Sequence, residues 1–141
     1  GARKILGTAG RLADIVSINF NNASGKLGGA SVASSGADQT AQKIAWIREG
    51  AGDRFEQLEI EIGAYFVAVG DGADAQSAAM AQRFGVAPDE FASHPHALMG
   101  SVDQICATLV ERRERYGVSF VTVAQRHVDE FAPVVDALAG H

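Results

Sequence analysis

Three short apolar runs, Ile15-Val16-Ser17-Ile18-Asn19-Phe20, Leu58-Glu59-Ile60-Glu61-Ile62 and Val118 to Val123, are separated by long stretches with helical patterning. This alternation constrains the fold more than any other feature. Strands joined by helical crossovers pair in parallel, and such crossovers are right-handed. The runs are rich in Ile and Val, and each is expected to be a strand buried on both faces. The second can extend through Gly63 toward Val69. The expected class is α/β.

From Ala2 to Ala13, apolar residues Ile5, Leu6, Ala9, Leu12 and Ala13 recur three and four apart, as on one face of a helix. Gly7 and Gly10 either weaken that helix or let a neighbour come close. Asn21 to Gly36, rich in Asn, Gly and Ser, is expected to be a long loop, either a functional lid or plain disorder. A helix over about Asp38 to Glu49 is stopped by Gly50 and Gly52. Asp71-Gly72 signals a turn before a helix from about Asp74 to Phe84, closed by Gly85. Pro88 suits the first turn of a short helix over Asp89 to Ala92. Ser101 and Gln104 make a capping box, each side chain satisfying the other's free backbone N–H. The helix they open buries Val102, Ile105, Cys106, Leu109 and Tyr116 and stops at Gly117. A last helix covers about Val128 to Leu138.

The 141 residues fit one domain, residues 1–141, with 47% hydrophobic and 21% charged residues as in a soluble globular chain. The net charge of -5 disfavours a nucleic-acid partner, which needs clustered Lys and Arg. The densest basic run, Arg112, Arg113 and Arg115, is interrupted by Glu114 and is expected to be a solvated helix face. Cys106 stands alone, so no intramolecular disulfide forms, and its mid-helix place predicts core packing. No signal peptide and no membrane-length apolar run is present, so no membrane partner and a cytoplasmic location are expected. The chain begins Gly-Ala-Arg and enters directly into a helix, as an expression scar or a missing upstream segment would leave it.

Three parallel strands leave two open edges, which invite pairing. A barrel needs eight strands and about 250 residues. The chain is therefore a small open sheet or part of a larger barrel, and a start inside a helix favours the second.

Gly1-Ala2-Arg3-Lys4-Ile5-Leu6 followed by Ala13-Asp14-Ile15-Val16-Ser17-Ile18-Asn19 resembles the segment after the fifth strand of luciferase-like monooxygenases. Trp46-Ile47-Arg48-Glu49-Gly50-Ala51-Gly52-Asp53-Arg54-Phe55 with Leu58-Glu59 is similar to the actinobacterial deazaflavin-dependent branch. So are Pro95-His96-Ala97-Leu98-Met99-Gly100-Ser101-Val102-Asp103-Gln104-Ile105 and the close Phe131-Ala132-Pro133-Val134-Val135 with Leu138-Ala139-Gly140. The order of these segments carries the resemblance. It implies the C-terminal part, about three βα units, of a luciferase-like TIM (β/α)8 barrel, with the first five strands absent.

The resemblance implies hydride transfer or monooxygenation of a small organic substrate. The cofactor would be the deazaflavin coenzyme F-420, with FMN as the alternative, bound at the C-terminal ends of the strands. Gly1, Ala2 and Arg3 would be the remains of a phosphate cradle, against the plainer reading of a scar and an exposed arginine. Asn19 and Asn21, at the end of the first strand, can meet cofactor or substrate, or serve turn chemistry. Lys26 can meet an anion, although a solvated lysine is the simpler expectation. His96, before the Gly100-Ser101 helix start, is placed near a cofactor pocket. Gly100 and Ser101 can offer N–H groups to an anion, although their capping duty already explains them. Gln125 and Arg126 follow the last strand at the same end. Glu59 and Glu61 alternate on one strand, so one is expected to be buried or paired. His94 and His96 flank Pro95 without a thiol or carboxylate cluster, so no metal is expected. No catalytic residue is assigned. The expected partners are the missing N-terminal barrel half, or a second copy in a homodimer. The rival reading is a non-catalytic fragment that self-associates through its open sheet edges.

Overall fold

The computed structural model describes residues 2–21, 25 and 28–140. Among these are five strands, where three were expected, and all strand pairs are parallel. Helix α1 (Arg3–Leu12) leads into β1 (Ile15–Ile18), then α2 (Gly29–Ala33), α3 (Ala37–Ala51) and β2 (Glu59–Ala64). β3 (Phe66–Val69), α4 (Ala73–Phe84), α5 (Pro88–Ala92) and β4 (Ala97–Gly100) follow, then α6 (Val102–Tyr116), β5 (Val118–Val123) and α7 (Val128–Leu138). The larger sheet has the order β1-β2-β5, and β3 pairs with β4 in a second sheet.

The expected continuation of the second run through Gly63 toward Val69 is two strands in two sheets. The chain turns at Tyr65, and the backbone N–H groups of Tyr65 and Phe66 both donate to the His96 carbonyl. β4 escaped the periodicity because Ala97-Leu98-Met99-Gly100 is short, with no alternation, directly before a strong helix cap. The expected loop from Asn21 to Gly36 contains α2, which exists because Val32 is fully buried among Phe20, Phe66 and Phe91.

Side chains alternate across a strand, so each strand presents two faces. On one face of the larger sheet, Val16, Ile18, Ile60, Ile62 and Val118 pack with Leu6, Ile44, Ile47 and Tyr116 from α1, α3 and α6. Ala64 and the partly buried Val121 and Val123 continue that face under Ile105 of α6 and Phe131 and Val134 of α7. The opposite face is open. Ile15 is 51% exposed and Phe120 41%, and Ser17, Glu59 and Thr122 are exposed beside them. The larger sheet is thus covered on one face only, against the expectation of two.

Helices α1 and α3 touch backbone to backbone. A Cβ at Gly50 would meet the Gly7 carbonyl oxygen at 2.1 Å, and one at Gly10 would meet that of Ile47 at 2.4 Å. Close packing, rather than weakening, is the use of these glycines. The capping box of α6 forms as expected, with Gly117 in the left-handed conformation behind it. Among the described residues, no helix is long and apolar enough to cross a membrane.

Candidate functional site

In parallel sheets the strand C-termini and the helix N-termini meet at one rim, and ligands bind there. At this rim of the larger sheet lies an open pocket of about 710 Å³, lined among others by Ala2, Phe20, Asn21, Lys43 and Trp46. Lys43 belongs to the buried stripe of α3, beside Thr40, Ile44 and Ile47. Its Nζ donates to the Asn19 carbonyl at 2.8 Å, the Ser34 carbonyl at 3.1 Å and Ser35 Oγ at 2.6 Å. These three acceptors tie the end of β1 to the turn before α3. All three are neutral, and among the described residues no carboxylate pairs with the ammonium. Burial lowers its pKa, since desolvation disfavours the charged form.

Behind Phe20 sits a cluster of two histidines. The ring centroids of Phe20 and His96 are 4.4 Å apart, and those of His94 and His96 5.6 Å. The His96 N–H donates to His94 Nδ1 at 3.1 Å, so His94 Nε2 carries the hydrogen and donates to the Val32 carbonyl at 2.9 Å. His96 Nδ1 lies 2.8 Å from the Gly63 carbonyl, which can only accept. The proton of neutral His96 is thereby assigned to Nδ1, and Nε2 presents a lone pair. That Nε2 is buried and has no hydrogen-bond partner among the described residues. Burial drives the His96 pKa down to about 4. The bond to Gly63 opposes this, while His94 and the charges of Lys43 and Arg112 reinforce it.

Arg112 corrects the reading of its basic run as a solvated face. It is buried, and its guanidinium donates to the carbonyls of Pro95 at 2.9 Å, His94 at 3.0 Å and Ala97 at 2.7 Å. Burial lowers its pKa to about 10. It fixes the segment that presents His96.

The expected site residues divide. Ala2 lines the pocket, and Asn19 stands at the rim with its side-chain oxygen accepting from the Tyr65 hydroxyl. Arg3 is exposed and holds both carboxylate oxygens of Glu49, at 2.8 and 2.9 Å, so it is engaged away from any cradle. Gly1 and Lys26 lie outside the described residues. Gly100 and Ser101 sit apart, in a depression of about 250 Å³ beside Asp71 and Asp74. The Ser101 N–H already donates to Gln104 Oε1 at 2.7 Å, and the two carboxylates oppose an anion there. Gln125 and Arg126 are exposed after β5. Cys106 packs against the core as expected. Glu61 is the buried member of its pair, accepting from Thr122 Oγ1 at 2.6 Å and from the Ser17 hydroxyl, while Glu59 is exposed.

Sequence reasoning missed Lys43, Phe20, Tyr65 and Arg112. For the two cations a signal existed. Lys43 and Arg112 each fall at a core position of a helical stripe, where a charge is buried only if its donors are satisfied. No protein-family model matches the chain, and no curated protein matches it.

Proposed function

We propose that the chain is the C-terminal part of a luciferase-like (β/α)8 barrel and supplies part of a flavin or deazaflavin site for an oxidoreductase. One observation carries the reading. The larger parallel sheet wears all its helices on one face, leaves the other face open, and has a pocket beside the C-terminal end of β1. In a barrel the helices lie outside and the inner face is filled by side chains from the other strands. The order of the segments similar to the deazaflavin-dependent branch supports the same reading.

The residues at the rim fit such a cofactor. Phe20 and Trp46 offer aromatic surface, and the lining carries both the ammonium of Lys43, which forms no ion pair among the described residues, and the carboxylate of Asp38. The cofactor would supply hydride transfer, or oxygen activation in the case of FMN. The chain's own residues bind and orient it. Asn19 and Tyr65 hold one another at the strand ends, and Lys43 pins the pocket floor. The open face would be closed by the N-terminal barrel half or a second copy.

Fluorescence titration with coenzyme F-420 and with FMN tests this. The chain alone is expected to bind weakly, and a mixture with a barrel half carrying strands one to five tightly. Strong binding by the chain alone would overturn the part-site reading, and no binding by the mixture would overturn the cofactor.

A second reading is favoured by the exposed Ile15 and Phe120 on the open face. In it, the chain is a non-catalytic element that self-associates. Sedimentation at rising concentration separates the two, because only this reading requires a stable oligomer without cofactor binding.

A further inference from the structure

We infer that His96 Nε2 is a ligand-binding acceptor, and that it selects a planar aromatic or heteroaromatic ring carrying an N–H or O–H on its edge. The inference rests on the rim being a binding site but not on the identity of the cofactor.

The first support is the orphaned atom itself. A buried acceptor left without a donor is destabilising, because it has lost its hydrogen bonds to water and gained none. His96 cannot relieve this by exchanging its tautomer, because the Gly63 carbonyl holds the proton on Nδ1. Nor can it become a donor by protonation at neutral pH, because burial and the nearby cations keep it uncharged. Nε2 therefore accepts and never donates.

The second support is the aromatic surroundings of the His96 ring. Phe20 lines the open pocket on one side and packs on His96 on the other. Tyr65 packs on both rings, with its ring centroid 4.9 Å from Phe20 and 5.5 Å from His96. Tyr65 is 42% exposed, and its hydroxyl is held by Asn19 Oδ1. A side chain that exposed can swing out at the cost of one surface hydrogen bond. A flat ring then takes its place against Phe20 and reaches the histidine with its edge. Ring stacking rewards an aromatic ligand, and the lone pair rewards a donor at its rim.

The test uses histidine-15N-labelled protein at neutral pH, with phenol and anisole as probes. The two differ by one hydroxyl hydrogen. In the free protein the Nε2 resonance is expected where an unprotonated, non-hydrogen-bonded imidazole nitrogen falls. Phenol should move it toward the hydrogen-bonded position and bind about tenfold more tightly than anisole, the worth of one net hydrogen bond. His96→Phe should abolish that preference, and Tyr65→Ala should strengthen phenol binding severalfold by clearing the way to the ring. Three results would overturn the inference: an Nε2 already hydrogen-bonded in the free protein, no movement with phenol, or equal movement with anisole. None of these depends on whether a flavin binds, so this failure and a failure of the cofactor reading are distinguishable.

Discussion

The two sheets of this molecule are built from the same kind of parallel strand and end in opposite situations. The small β3-β4 sheet is covered on both faces. Phe66 and Ala97 pack under Phe91 and Ala81 of α5 and α4, while Val67 and Leu98 pack under Ile105 and Phe131 of α6 and α7. The larger β1-β2-β5 sheet is covered on one face, and its other face carries a self-satisfied polar row, Ser17, Glu61 and Thr122, beside exposed Ile15 and Phe120. The chain has helices enough to bury a sheet twice over, yet it leaves the larger one open. Glu61 shows how that is tolerated. A carboxylate whose oxygens take hydroxyl hydrogens from both neighbouring strands needs no helix above it. The open face is thus compatible with this chain standing alone, and equally shaped to be closed.

The sharpest way to break the comparison is to truncate matched side chains on the two faces. Ile18→Ala, on the covered face and fully buried, should lower unfolding free energy by about 2–5 kcal/mol in urea denaturation. A loss below 1 kcal/mol would mean that the covered face is not packed as described.

Acid comes next. His96 titrates near 6.5 when unfolded and about 4 when folded, so between these values the unfolded chain binds more protons. Its contribution is therefore full above pH 6.5 and is lost as the pH falls toward 4, by about 3 kcal/mol in total. The lowered pKa of His94 acts in the same direction. His96→Phe should flatten the slope of stability against pH, measured by thermal melts over pH 4–7.

Gly50→Ala forces a methyl into the Gly7 backbone and should cost about 1–3 kcal/mol in the same urea assay. The smallest effect should be Phe120→Ser on the open face, within about 0.5 kcal/mol for the chain alone. If the same substitution weakens self-association or the docking of a barrel half in sedimentation, the open face is an interface. If it destabilises the isolated chain strongly, the face is not open.

The elements with a strong local signal were legible in the sequence. Ile15 to Ile18 and Val118 to Val123 are rich in β-branched residues, and Ser101 with Gln104 caps α6 by reciprocal bonds that need only local geometry. β3, β4 and α2 were not, because short apolar segments owe their conformation to distant partners. Val32 makes a helix of a Gly-rich stretch by entering a cavity among Phe20, Phe66 and Phe91. The openness of the larger sheet was also hidden, since Ile15 and Phe120 have the composition of core residues. At the candidate site, Asn19 could be placed at the end of the first strand from order alone, while Ala2 and His96 were placed only through the resemblance and the helix starts beside them. For Lys43 and Arg112 the helical stripe signalled burial, but their partners were hidden, because the carbonyls that satisfy them come from segments remote in sequence.

The parallel pairing of every strand also sets how this chain must fold. Among the described residues no two paired strands are joined by a hairpin, and even β3 and β4 are separated by the helices α4 and α5. No sheet contact can form until a long loop has closed, and that entropy is lost before any strand is rewarded. The approach of α1 to α3 spans as long a stretch of chain as the pairing of β1 with β2, so helix packing and sheet pairing meet the same entropic cost and folding is slow.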